Sequence, residues 1–281
     1  MIEYLKMFIV SVVTGLTAPL PTSSAAHFNF FANVVGFTAD GTRMSLYYNI
    51  FMLCFSLAVF FVFRKTVLRG FRLAFKKNEA NGRDNKYFIK NFLLSLLPTI
   101  ILFIPLAEGK LFVDYMDSFL NINGLILAGF ACVITACVLI VAIWYTSKTK
   151  NSTRRGVDKR TVLRLSFYQL PCYVIPGFSH VASGAVNLFI SDINSRSLAE
   201  QLYIYLAPSM FAVSAVKIIR LLLTDIVLDP IEVVIGIIVS LISCTLVVHL
   251  TSKVNIRRLF AFFSAYSAIF GVFVIVISFF I

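Results

Sequence analysis

Acidic residues are scarce in this chain. Asp and Glu number 13 against 25 Lys and Arg, and charged residues together make up 14% of the 281 positions. The chain is 59% hydrophobic, whereas soluble domains are about 45–50% apolar. The apolar surplus must therefore be buried in something other than a protein core. Cysteine is thin as well. Cys54, Cys132, Cys137, Cys172 and Cys244 are scattered, odd in number and free of any Cys-x-x-Cys or Cys/His metal spacing, so they read as small buried hydrophobes. No segment alternates with period two, which excludes an outer-membrane barrel. The N-terminus enters an apolar run at once without a cleavage-site pattern, so no removable signal peptide is expected.

What the chain has is long apolar runs. Spans expected to cross a hydrocarbon layer of about 30 Å run over 44–63, 87–106, 121–146, 199–223, 229–250 and 257–280. This is an all-α polytopic membrane protein by composition and pattern. The basic residues collect at the ends of spans. Residues 64–90 hold nine Lys/Arg and 148–164 hold seven, whereas 106–121 holds only Lys110 beside Glu108, Asp114 and Asp117. That asymmetry puts the two basic loops in the cytoplasm, facing anionic membrane lipids. A charge of +12 arranged in this way does not point to nucleic acid.

Two further apolar segments, 2–36 and 165–190, are interrupted by Gly15, Pro19 and Pro21, and by Pro171, Pro176, Gly177 and Gly184. Proline deletes a backbone donor and breaks a helix. Broken backbone at membrane depth survives only inside protein or beside a wet cavity. Each segment is therefore expected to form a re-entrant helical hairpin. In each, proline and serine precede a histidine: Pro21-Thr-Ser23-Ser24 then His27, and Pro176-Gly-Phe-Ser179 then His180. Each also precedes three spans. With the charge pattern, this predicts an inverted repeat within one membrane domain, 1–281. Its halves are 1–146 and 165–281, joined by a basic cytoplasmic loop, 147–164. The first hairpin would dip from outside and the second from inside, with a shared site near the midplane.

Several residues carry two readings. Ser23 and Ser24 can cap a helix or work chemically; His27 can be a hydrogen-bonded core histidine or a base. Gly15, Gly177 and Gly184 can permit close helix packing. Lys217 and Arg220 can snorkel to the outer interface, with Asp225 as partner, or border an anion-binding cavity.

The stretch Thr14-Gly-Leu-Thr-Ala18-Pro-Leu-Pro21-Thr-Ser23-Ser24-Ala-Ala26-His27 resembles a motif of the form Glu-Gly-x-x-Glu-x-x-Pro-x-Ser-Ser-x-Gly-His. Pro176-Gly177-Phe178-Ser179-His180-Val181-Ala182 resembles Pro-Gly-x-Ser-Arg-Ser-Gly. Both motifs belong to the undecaprenyl-pyrophosphate phosphatase (bacitracin-resistance) family. Ser195-Arg196, the segment Ala199-Glu200 to Pro208, and Tyr266 also fall where members carry similar residues, so the resemblance spans nearly the whole chain.

The resemblance implies a membrane hydrolase that removes the terminal phosphate of undecaprenyl pyrophosphate for cell-wall synthesis. Members use the motif glutamates, a divalent cation such as Mg²⁺ or Ca²⁺, and an arginine that grips phosphate. Here the glutamates are replaced by Thr14 and Ala18, and the arginine by His180. The resemblance leaves Ser24 as nucleophile and His27 as its base, three residues on and on the same helical face. Ser23, Ser179, His180 and Gly177 are left to hold phosphate. With no acid in the first motif, no metal site is expected. Two functions follow: a divergent phosphatase acting on polyprenyl pyrophosphate, or a protein that binds or translocates a polyprenyl phosphate without hydrolysis.

Overall fold

The computed structural model describes residues 2–37, 41–75, 82–106, 110–114, 124–147, 156–191, 193, 195–224, 226–254 and 256–280. These form α1 (Ile2–Thr17), α2 (Ser24–Val34), α3 (Gly41–Val62), α4 (Arg64–Phe75), α5 (Gly82–Leu94), α6 (Leu97–Leu102), α7 (Gly124–Ser147), α8 (Lys159–Val174), α9 (His180–Ile190), α10 (Ser195–Leu222), α11 (Pro230–Thr251) and α12 (Ile256–Ile277). Helices α3, α7, α10, α11 and α12 are each long and apolar enough to cross a membrane. At 1.5 Å per residue a 22-residue helix is about 33 Å long. The chain is a multi-pass α-helical membrane protein.

One expected span is broken. The run 87–106 is divided between α5 and α6, with a turn at Ser95-Leu96 and Pro98 in the first turn of α6. Proline has no N–H to give, so it is tolerated at a helix start and not in a continuous interior. The basic stretch after α3 is also not a plain loop: Arg64–Phe75 is a helix with its basic residues along an amphipathic face. The second hairpin likewise starts before 165, at Lys159, where the Asp158 carboxylate accepts from the Thr161 N–H.

Helices α3 and α10 pack together at the centre, α7 packs along α12, and α1 packs along α11. Lipid-tail solvent gives apolar helices little reason to associate, so close packing through small residues must do the work. At the α7–α12 crossing, a Cβ on Gly271 would fall 2.7 Å from the Gly129 carbonyl oxygen, and one on Gly129 would fall 2.8 Å from that of Gly271. Gly271→Val is therefore expected to destabilise by about 1–3 kcal/mol through overpacking. Thermal unfolding in detergent checks this, and an unchanged midpoint would show that the two helices can part freely. The outer face of α11 carries exposed Ile231, Val234, Ile238, Ile242, Leu246 and Leu250 at helical spacing, a lipid-facing stripe.

The two hairpins run past each other. The turn between α1 and α2 reaches Tyr203, whose hydroxyl donates to the Pro19 carbonyl at 2.7 Å and lies 2.9 Å from the Thr251 hydroxyl. The turn between α8 and α9 reaches the opposite end of the bundle, against Ala128 near the start of α7. Broken backbone at both tips thus sits inside protein, as a low-dielectric setting requires.

Candidate functional site

Each hairpin tip ends in a serine cap. The Ser23 hydroxyl accepts from the Ala26 N–H at 3.1 Å, and the Ser179 hydroxyl accepts from the Ala182 N–H at 3.2 Å. Both serines have extended backbone and are buried. Their side chains satisfy donors that the first turns of α2 and α9 would otherwise leave unpaired at depth. The caps set the register between the hairpins: Ser23 matches Ser179, and Ser24 matches His180.

His180 lines a cavity of about 610 Å³ between the hairpins, α3 and α10. Ala25, Phe28 and Asn29 of α2 line one side, and Cys172, Tyr173 and His180 of the second hairpin line another. Ser45, Tyr48, Asn49 and Met52 come from α3; Met210, Val213, Ser214 and Lys217 come from α10. Ser24 stands just behind this wall, its hydroxyl 3.1 Å from the Tyr48 hydroxyl and 3.7 Å from the Met52 sulfur. His180 is buried against the Tyr173 ring, 4.3 Å between centroids, and its Nδ1 has no hydrogen-bond partner. The Tyr173 hydroxyl in turn lies within 3.0 Å of Ser209 Oγ and 3.2 Å of Gln169 Oε1.

His27 points elsewhere. Its Nδ1 lies 2.6 Å from the Ser23 carbonyl oxygen, which can only accept, so Nδ1 carries the proton. Nε2 therefore presents its lone pair to the Tyr266 hydroxyl, at 2.9 Å. The ring stacks on Phe270 with centroids 3.9 Å apart. Both nitrogens are engaged with groups other than Ser24. The spacing of three residues places the two on neighbouring positions of α2, but the rotamer of His27 turns its ring towards α12.

Gly177 is held by backbone needs. Its φ is +108°, and a Cβ there would meet the Ala128 carbonyl oxygen at 2.2 Å. Gly184 lies under Leu202, and Gly15 against Ser240 and Ser243. Of the six residues singled out in the two motifs, His180 lines the cavity, Ser24 backs it, Ser23 and Ser179 cap the helices that carry those two, Gly177 shapes the tip, and His27 is anchored away from it.

A profile of the family described as "bacitracin resistance protein BacA" matches residues 7–273. The chain belongs to that family. An undecaprenyl-diphosphatase of Leptospira borgpetersenii serovar Hardjo-bovis is 24% identical over 288 residues, covering 99% of each chain. Undecaprenyl-diphosphatase 2 of Clostridioides difficile is 26% identical, covering 98% of this chain and 95% of its own.

At the two positions that the motif resemblance sets against glutamates, the Thr14 hydroxyl folds back to the Val10 carbonyl at 2.7 Å, and Ala18 is packed in the main core cluster with Met52 and Phe55. Glu3 pairs with Lys6 at 2.7 Å, and Glu200 accepts from the Thr66 hydroxyl. No Asp or Glu occurs among the described residues lining the cavity, and Lys217 does. Hard divalent cations take carboxylate and carbonyl oxygens. A donor set of hydroxyls, amides and imidazole beside an ammonium does not fit one.

Sequence reasoning left Lys217 between two readings and passed over Tyr48 and Tyr173. Lys217 lines the cavity. Arg220 reaches Asp114 with two contacts of 2.9 Å; Asp225 lies outside the described residues. The Arg220 hydrogen bonds hold the Asp114 carboxyl below its ordinary pKa. Polar tyrosines inside apolar runs were the available signal for Tyr48 and Tyr173, because a buried phenol needs a partner.

Proposed function

We propose that this chain is an undecaprenyl-diphosphatase-like protein of the bacterial cytoplasmic membrane. It takes the head group of a polyprenyl phosphate or pyrophosphate into the cavity between its hairpins, and binds or moves this cell-wall carrier lipid rather than hydrolysing it. One observation carries the reading: both hairpins, α3 and α10 converge on a chamber whose lining combines Lys217, His180 and Tyr48 with apolar Phe28, Met52 and Met210. An anionic head and a flexible apolar tail match those two kinds of lining residue. Unbranched methionine adapts to irregular apolar shapes, and the volume is within the roughly 300–1,000 Å³ usual for small-molecule sites. An inverted repeat built on the two hairpins, as the sequence pattern suggests, would put that chamber at the depth where such folds bind ligand. The basic helix α4 supports a cytoplasmic face turned towards anionic lipids.

The chemistry explains the preference for binding. A serine hydroxyl is a weak nucleophile until a base takes its proton. Among the described residues the Ser24 hydroxyl meets a tyrosine hydroxyl and a thioether, neither of which serves as a base near neutral pH. His27 spends Nδ1 on a carbonyl and Nε2 on Tyr266.

The test is an assay of the purified protein with undecaprenyl pyrophosphate and undecaprenyl monophosphate, with Mg²⁺, Ca²⁺ or EDTA. Saturable binding without phosphate release is expected. Phosphate release that disappears in Ser24→Ala would replace this reading with an active phosphatase. Neither binding nor release would remove the lipid-phosphate reading altogether.

A further inference from the structure

Lys217 has no counterpart in the motifs that suggested the site, yet it is the one charged side chain among the described residues lining the cavity. It is half-buried on α10, one of the membrane-crossing helices. Ionisable side chains within such helices commonly line binding or ion pathways. Beside it, Arg220 and Asp114 neutralise one another through two contacts of 2.9 Å. The Lys217 charge also acts on Asp114. Across the cavity, His180 is more than nine-tenths buried, lines the same chamber and keeps Nδ1 without a partner.

The geometry points to a receptor for a lipid monophosphate that works without a divalent cation: the Lys217 ammonium is the counter-charge, and the imidazole of His180 and the Tyr48 hydroxyl are the neutral hydrogen-bonding groups. This rests on the lipid-phosphate reading above and narrows it. A phosphate monoester carries about −1.5 to −2 charges at neutral pH, and a pyrophosphate carries more. One lysine with no metal leaves the larger charge poorly compensated in a low-dielectric chamber. Where the motif resemblance implies carboxylates and a metal for the pyrophosphate, the described lining of this cavity offers a single organic cation, Lys217. The site therefore fits the product of the family reaction better than its substrate.

The experiment uses full-length protein in detergent with farnesyl monophosphate, farnesyl pyrophosphate and inorganic phosphate as probes, each with Mg²⁺ and with EDTA. Farnesyl monophosphate is expected to bind most tightly of the three in EDTA, with the same affinity when Mg²⁺ is added. Inorganic phosphate, lacking the tail, binds more weakly and distinguishes a lipid site from a site for free phosphate. Lys217→Met should weaken farnesyl monophosphate by about tenfold to a hundredfold, the loss of one charge-assisted hydrogen bond, and Lys217→Arg should recover most of it. Thermal unfolding of both variants at the wild-type midpoint shows that the loss is not misfolding. Should Lys217→Met be unfolded, Lys217→Gln takes its place. Binding that disappears in EDTA, that prefers the pyrophosphate there, or that ignores position 217 overturns this inference and leaves the lipid-phosphate reading standing. Failure of wild-type protein to bind either farnesyl probe under any condition overturns both.

Discussion

Gly177→Ala is expected to cost this protein its second hairpin. The residue has a φ of +108°, where a side chain strains the backbone, and its missing Cβ would lie 2.2 Å from the Ala128 carbonyl oxygen and 2.7 Å from Ala128 Cα. Those neighbours are helix backbone, which cannot swing aside as a flexible side chain does. Strain in sparsely populated φ/ψ space costs about 1–3 kcal/mol, and overpacking a filled interior costs about another 1–3. Set against a typical total of about 5–15 kcal/mol, the change removes a large share of stability. It also displaces His180, three residues on, and with it one wall of the cavity. Size-exclusion behaviour and the unfolding midpoint in detergent are the measurements. A monodisperse variant with the wild-type midpoint would show that the tip does not lie against α7.

Introducing glutamate at positions 14 and 18 is expected to damage the fold and yield no hydrolysis. The Thr14 side chain is fully buried, and Ala18, at 5% exposure, packs in the main apolar cluster. A carboxylate at 18 would enter that cluster among Met52, Phe55 and Ala58. An uncompensated buried charge is penalised by several kcal/mol, and added volume brings strain of its own. The double variant Thr14→Glu/Ala18→Glu should therefore unfold well below the wild type and release no phosphate from undecaprenyl pyrophosphate in Mg²⁺. Full stability together with magnesium-dependent turnover would show that the two charges were all the site lacked.

Hydropathy alone located α3, α7, α10, α11 and α12 to within a few residues, because a span must fill a fixed thickness of hydrocarbon. It also marked both hairpins, since proline at membrane depth admits few alternatives. The break at Ser95-Leu96 escaped it: average hydropathy across 87–106 does not register a helix restart at Pro98. Site geometry was less legible. Helical spacing put Ser24 and His27 on one face, but the direction of the His27 ring is decided by Tyr266 and Phe270, about 240 positions along the chain. The hydrogen-bonded, buried histidine and the helix-capping serine were both readable as possibilities from residue type. Choosing between them and a catalytic pair required contacts that no local pattern encodes.

The matched caps at Ser23 and Ser179 bear on how any serine scan of these motifs should be interpreted. Removing a cap at a buried helix start typically costs about 1 kcal/mol, and here each cap also orients the following side chain, Ser24 in one hairpin and His180 in the other. Alanine at either cap would thus shift that neighbour, and a dead assay would look like a lost nucleophile. Asparagine, which caps a helix without a hydroxyl, separates the two causes. Function that survives Ser→Asn and fails in Ser→Ala marks a hinge pin rather than a reagent.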